Sequence, residues 1–459
     1  MGAFTHNRET AVPVPPSERS EGFTVATRGI GLIAASSLLA VALTACGGGS
    51  DTGGGGSSKT ITYWASNQAP TPQLDVKALT PVLQEFKKQT GVTVNLQVIG
   101  WPDLQNRINT AVSSGKGPDV VNIGNTWSAS YQATGAFLEF DSGTAQKIGG
   151  LGKFVPTTQK AIGAPGKTPT AVPLYGLSYG MFYNKKLFKD AGIKAPPKTW
   201  DEFVADAKKI NDPGKKIYGV GLEGGSYTEG VHHAFILGEQ NGSTWFNGSK
   251  PDFTSAGAVK GVKQYIDLMA THKVANPSDA QNADGTKTPA NFAKGKVGMM
   301  LWQGNAASNI AADGMKEDEY GVAPYPQTSG GKNVGTFVAG INMSVFKNSK
   351  NTDASLKFVK FMTDPKTQAT LNAEFGTLPV NTEAAKDAKF QTPNLQMFIN
   401  ELATRAVPLP QIPEEGNFET TVGNAVKQLI ADAAQGKPVG DSQIRSALQA
   451  AQQKMEAGG

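Results

Sequence analysis

An α/β fold with a largely parallel sheet is the class this sequence predicts, and three observations carry it. Strand-like and helix-like runs alternate along the body, the apolar spacing switches between period two and the helical period, and glycines punctuate the switches. Lys59 to Trp64 is rich in β-branched and aromatic residues and predicts a strand. Thr80-Pro81 reads as an N-cap with proline at the first helical position, leading into Val82, Leu83 and Phe86, with Gly91 as the stop. Val92, Val94, Leu96 and Val98 alternate as a half-buried strand requires. Leu104, Ile108, Ala111 and Val112 then recur at helical spacing until Gly115, and Pro118 to Ile123 is a short apolar strand. The order strand, helix, strand, helix, strand within 59–123 is what makes parallel pairing the natural inference.

The pattern resumes after a gap. Gly180 to Asn184 predicts a strand, and Thr199-Trp200-Asp201-Glu202 a capping box that opens a helix through Phe203, Ala207 and Ile210. Strands are expected at Tyr218–Leu222, Lys296–Leu301 and Thr336–Val345, with a helix between the first two marked by Val259, Val262, Ile266 and Met269. Beyond these the chain reads as helical, with apolar stripes through Leu356, Leu395, Phe418 and Ile444 that suit core packing.

Composition excludes several function classes. The 459 residues are 39% hydrophobic and 18% charged, enough to bury one large core or two. Lys and Arg number 43 against 38 Asp and Glu, a surplus of five that is too small and too evenly spread for a nucleic-acid surface. One cysteine rules out a disulfide framework, and four histidines leave little for metal chemistry, so neither metal nor cofactor is expected. Adjacent His232 and His233 point about 100° apart on a helix and suit core or cap better than chelation.

After a polar stretch with Arg8, Arg19 and Arg28, residues 29–45 are apolar or small and end in Leu43-Thr44-Ala45-Cys46. A short membrane anchor is one reading. The segment also resembles a bacterial lipoprotein signal, which implies removal of 1–45, lipidation of Cys46 and attachment to the cell membrane. The Gly/Ser run through Ser58 then reads as a tether, 46–58, to an extracytoplasmic body.

Taken in order, Ile61-Thr62-Tyr63-Trp64, Phe86 to Val94, Gly117-Pro118-Asp119-Val120, Phe182 to Phe188, Pro197 to Phe203, Gly295 to Met300, Ala339-Gly340-Ile341-Asn342 and Phe375 to Val380 carry a resemblance. The body is similar to the bacterial extracellular solute-binding proteins of family 1, the sugar-binding receptors of ABC importers. That resemblance implies a two-lobed periplasmic-binding-protein fold of type II with a hinge and an interlobe cleft. It places the first lobe at 59–174 plus 334–378 and the second at 175–333 plus 379–459. It also implies a non-enzymatic, monomeric receptor that hands a di- or oligosaccharide to a membrane permease.

A sugar offers apolar C–H faces and a rim of hydroxyls, so its receptor needs aromatic platforms and amide or carboxylate groups. In open α/β sheets these gather beyond the carboxyl ends of strands. Trp64, Ser66 and Asn67 follow the first strand, Asn125, Thr126 and Trp127 the third, and Trp302, Gly304 and Asn305 the Lys296–Leu301 strand. Trp64 and Trp101 serve equally well as covers of core edges. Tyr175 and Tyr179 stand at the expected entry to the second lobe, and Tyr227 and Glu229 in an expected loop where Glu229 could accept from hydroxyls. Phe337 and Phe375 border the later crossings and Phe418 opens a helix after the Pro-rich loop 408–413, each as cleft wall or core. Trp200 is expected to pack and Trp245 to sit between two Asn-Gly turns.

Two alternatives remain at this stage. The same receptor could take a peptide, polyamine or glycerol phosphate. Gly176-Leu177-Ser178-Tyr179-Gly180 matches the serine-hydrolase nucleophile elbow, which would make Ser178 a nucleophile; that motif needs a helix directly after the serine, and the following residues read as strand.

Overall fold

Two Thr-Pro pairs compete to start the first helix, and the earlier one prevails. In the computed structural model, which describes residues 60–458 except Pro70 and Ser249, Thr71 is the N-cap and accepts from the Leu74 N–H, so the helix runs Pro72–Thr90 with Pro81 inside it. Proline there forfeits one backbone hydrogen bond. Burial of Leu79, Val82, Leu83 and Phe86 along one face outweighs that loss, and Gly91 at φ 72° closes the helix as expected. Cys46, the expected signal and the tether lie outside the described residues.

The strands of the body, in chain order, are β1 (Thr60–Ser66), β2 (Thr93–Ile99), β3 (Val120–Gly124), β4 (Val172–Leu177), β5 (Tyr179–Asn184), β6 (Tyr218–Val220), β7 (Phe246–Asn247) and β8 (Lys250–Pro251). They continue with β9 (Val297–Gln303), β10 (Tyr320–Ala323), β11 (Thr336–Phe337), β12 (Ala339–Val345), β13 (Leu378–Pro379) and β14 (Ala406–Val407). One six-stranded sheet has the order β13-β4-β12-β3-β1-β2 and a four-stranded sheet the order β10-β5-β9-β6. β1 pairs in parallel with β2 and β3. β12 is antiparallel to both β3 and β4, so the sheet is mixed rather than parallel.

The chain path explains the mixture. β4 leads through Ser178 into β5 of the other sheet, and β11 leads through Val338 back into β12, so β12 enters the first sheet from the opposite direction. The Pro393–Thr404 helix lies over both crossings: Ser178 Oγ donates to the Phe398 carbonyl at 2.8 Å, and a side chain at Gly176 would strike Leu402. Val338 N–H donates to the Val407 carbonyl at 2.8 Å, beside the short β11–β14 ladder.

Each sheet has its own core. Ile61, Tyr63, Phe86, Leu174, Met343 and Phe358 fill the first. Met181, Phe235, Ile266, Met299, Phe418 and Leu448 fill the second, which the Tyr227–Gln240, Ala256–Ala270, Glu415–Ala434 and Asp441–Gly458 helices cover. Three lobe boundaries move from those expected, the return crossing falling at Val338 rather than at 334. β4 extends to Leu177, so the first crossing falls at Ser178 rather than at residue 175. Val380 belongs to the first core, Asn381 donates to the Thr363 carbonyl at 3.0 Å and Thr382 N–H to the Lys153 carbonyl at 3.0 Å, so the stretch after β13 stays with the first sheet instead of leaving at 379. Among the described residues no helix is long and apolar enough to cross a membrane.

Candidate functional site

On the first sheet the carboxyl ends of β1 and β3 gather seven of the seventeen expected residues. Buried Asp75 fixes the loop after β1 by accepting from Asn67 Nδ2 and the Gln68 N–H. Asn67 in turn accepts Trp101 Nε1–H at its carbonyl, 2.8 Å away, which sets an indole that is 38% exposed. The Trp101 and Trp127 rings meet edge to face at 5.8 Å. Trp127 closes the short Asn125–Trp127 turn after β3, and a side chain at Gly124 would press on its ring.

Polar residues nearby serve the scaffold. Ser66, 1% exposed, accepts from Asn122 Nδ2, and buried Asn125 donates to the Val338 carbonyl at 2.6 Å, tying this turn to the second crossing. Thr126 is buried and Trp64 partly buried against the core beneath.

The facing elements come from the other sheet. The Asn125–Trp127 turn touches the start of the Glu415–Ala434 helix. Ser130 Oγ donates to the Pro413 carbonyl at 2.7 Å, and Gln105 Nε2 lies 3.9 Å from where a Gly416 side chain would begin. Gly423, farther along that helix, packs on the Tyr227 backbone, and the Tyr227 ring is 41% exposed. Tyr227 thus borders this helix directly, and Trp101 lies one ring away from the turn that touches it.

Behind Tyr227 stands a buried polar network. Tyr179 O–H donates to Glu229 Oε1 at 2.7 Å, lies 2.9 Å from His232 Nδ1 and accepts from Gln303 Nε2 at 3.1 Å. His233 Nε2 is 3.5 Å from Glu229 Oε2 and its Nδ1 is 3.0 Å from the Tyr325 hydroxyl; His232 Nε2 is 3.9 Å from Glu419 Oε1. Burial disfavours charge on His232, but Glu229 and Glu419 outweigh it and lift its pKa to about 9. Burial, helped by the charge of His232 and opposed by Glu229, lowers His233 to about 4. Burial, helped by the charge of Glu229, raises Glu223 to about 8, while the two histidines and Tyr179 hold Glu229 below the ordinary carboxylate value in spite of its burial.

Several expected residues lie elsewhere than the sequence suggested. Glu229 and Tyr227 are in the first turn of the Tyr227–Gln240 helix, capped by Ser226, not in a loop. Trp302 is inside β9 and 8% exposed, because the strand runs on to Gln303 and the ring joins the core around Phe398. Phe418 is fully buried among Phe235, Trp245, Phe246 and Phe253, which removes its ring from any cleft wall. Tyr175 and Phe375 pack edge to face on each other at 5.5 Å in the first core. Phe337 lies 4.3 Å from the His232 ring. Gly304 is held small by the Phe398 ring, and half-buried Asn305 abuts Gly376 of the first sheet.

Ser178 is the clearest departure from its motif. It sits between two strands, is fully buried and spends its hydroxyl on Phe398, so the strand-turn-helix context of a nucleophile elbow is absent. Trp200 packs as expected, with both halves of its Thr199–Glu202 capping box formed.

Glu223, Glu415 and Glu419 were not anticipated. A signal for the last two exists: Glu415, Phe418, Glu419, Val422 and Val426 share the buried face of one helix, so two glutamates occupy positions on an apolar stripe.

A family profile for bacterial extracellular solute-binding proteins matches residues 70–369. The diacetylchitobiose binding protein DasA of Streptomyces coelicolor is 28% identical over 400 residues, covering 84% of this chain and 88% of that one. The sugar-binding protein MalE of Xanthomonas citri superposes with a TM-score of 0.74 at 22% identity, over 87% of this chain and 98% of its own. The GacH receptor of Streptomyces glaucescens, solved unliganded and with acarbose, gives 0.72 at 23% identity over 87% and 99%. The last two likenesses concern the fold.

Proposed function

The chain belongs to the bacterial extracellular solute-binding proteins, and from that premise we propose that it captures a di- or oligosaccharide between its two sheets and delivers it to an ABC permease. The observation that carries this reading is the pair of exposed aromatic residues, Trp101, which packs on Trp127 of the turn that touches the Glu415–Ala434 helix, and Tyr227, which packs on Gly423 of that helix. Flat rings with a polar edge suit the C–H faces of a sugar. Relatives that bind diacetylchitobiose and maltotriose by name point the same way.

Closure follows from the crossings. With chain passing between the sheets at Ser178 and Val338, rotation about these points would part or close the faces that carry Trp101 and Tyr227. A saccharide that touches both faces binds the closed form better, and that difference drives closure. Membrane attachment through lipid on Cys46 and a monomeric state complete the proposal; a relative from Streptococcus pneumoniae is named a lipoprotein.

The test is calorimetric titration and thermal unfolding of the chain with maltooligosaccharides, diacetylchitobiose, peptides and polyamines. A solute at a hundred times its Kd adds about 2.7 kcal/mol to stability. Saturable binding of one saccharide class is the expected result. A shift only with a peptide or polyamine would transfer the receptor role to that solute.

A further inference from the structure

The start of the Glu415–Ala434 helix carries a buried carboxyl that no donor of the protein reaches. Glu415 is fully buried, and neither carboxylate oxygen has a hydrogen-bond partner. Glu419, one turn on and 6% exposed, faces it. Beyond Glu419 stand His232 and Glu229, whose Oε2 is also without a hydrogen bond, and then Glu223, 7% exposed. Four carboxylates therefore share two imidazoles. A desolvated carboxylate without donors is expensive unless a cation or proton reaches it.

The place of this cluster says what could reach it. Glu415 lies two residues past Pro413, which Ser130 of the opposite side holds, and it is next to Gly416, which Gln105 covers. The group is buried beside these two contacts between the sides, so parting them would open it to a solute held there. Among the described residues no group of three or more His, Cys, Asp or Glu side chains is arranged to hold a metal ion. A hydrogen-bonding organic cation fits better, since an ammonium group offers three donors to oxygens that lack them.

We propose that the saccharide taken by this protein bears a basic nitrogen, an amino sugar with a free amine, and that Glu415 and Glu419 receive it. This rests on the carbohydrate reading above and narrows it. Without a cation Glu415 keeps its proton: burial and the neighbouring Glu419 both push it far above the usual carboxylate range. The amine takes the place of that proton.

The experiment compares the glucosamine disaccharide, its di-N-acetylated form and cellobiose by calorimetry, below the pKa of the amine, on the wild-type chain and on Glu415→Gln and Glu419→Gln. The free amine should bind at least about tenfold tighter than either neutral sugar. Each variant should remove that preference while leaving the neutral affinities within about twofold. Glutamine keeps the volume and sheds the charge, so the variants should fold, which the unfolding midpoint checks. Equal or tighter binding of the neutral sugars would overturn this inference and leave the carbohydrate reading intact. A preference for the amine that survives both substitutions would also overturn it. Binding of no saccharide, with a peptide or polyamine bound instead, would bring down both.

Discussion

The phenol of Tyr179 donates a 2.7 Å hydrogen bond to Glu229 Oε1, joining β5, the strand that follows the first crossing, to the first turn of the Tyr227–Gln240 helix. Tyr179 is fully buried, and its backbone N–H is taken by Thr336 Oγ1 from the second crossing at 2.9 Å. One residue therefore couples both crossings to the charged network. Tyr179→Phe keeps the ring and removes the donor from a carboxylate already short of partners. A loss of about 1–3 kcal/mol in denaturant unfolding is expected, with an unchanged m-value showing that the fold is retained.

The aromatic residues divide into two kinds that mutation should separate. Trp101→Ala and Tyr227→Ala remove exposed rings, so stability should change by less than about 0.5 kcal/mol while saccharide affinity falls about tenfold or more. Phe418→Ala empties the centre of a five-ring cluster. It should cost about 3–5 kcal/mol of stability. Paired unfolding and titration curves decide the matter: a stability loss at Trp101 without an affinity loss would make that ring a core cover.

Stability should fall on the alkaline side of neutrality. The groups around His232 are Tyr179 from β5, Glu229 and His233 from its own helix, and Glu419 from the Glu415–Ala434 helix. Its pKa is raised from 6.5 to about 9, so the stabilisation is complete below 6.5 and disappears as pH climbs through about 9. Glu223, raised from 4.5 to about 8, acts in the same direction, since its buried carboxyl must ionise over that interval. Unfolding free energy measured across this range should decline, and Glu223→Gln should raise it by about 1–2 kcal/mol at the alkaline end while changing little at acid pH.

The local grammar was legible in the sequence where a single side chain decides it. The Gly91 and Gly115 stops, the Thr199 capping box and the strand at Val120 follow from local chemistry. What local chemistry misses is competition and return. Thr71-Pro72 and Thr80-Pro81 are equivalent signals, and only burial of Leu79 with Val82 selects the first. Thr336 to Val345 reads as one strand, yet Val338 divides it between two sheets because Asn125 and Val407 each claim one of its backbone groups. At the site, aromatic type alone could not distinguish Trp101, exposed by its bond to Asn67, from Trp302, buried by a strand two residues longer than its apolar run suggested. Tyr179, Glu229, His232 and His233 each stood out in the sequence, but not as one network, because its members come from distant segments; Glu415 and Glu419 on an apolar stripe were a further signal.

Ser178 offers a last test, in which two readings of one residue predict opposite results. Its Oγ supplies the donor to the Phe398 carbonyl across 220 residues of chain, inside the crossing, and both residues are buried. Ser178→Ala leaves that carbonyl unpaired where water does not reach, a cost of about 1–2 kcal/mol in unfolding free energy. Because a crossing that flexes is the pivot of closure, the variant should also alter the rate of saccharide association more than that of a substitution on the outer face of the Pro393–Thr404 helix, measured by stopped-flow tryptophan fluorescence. A hydrolase would show a different signature: a serine-dependent turnover of a small ester that the alanine variant abolishes. The expected outcome is a background rate that is the same for both proteins, since a serine flanked by two strands and committed to a backbone carbonyl presents no nucleophile to a substrate.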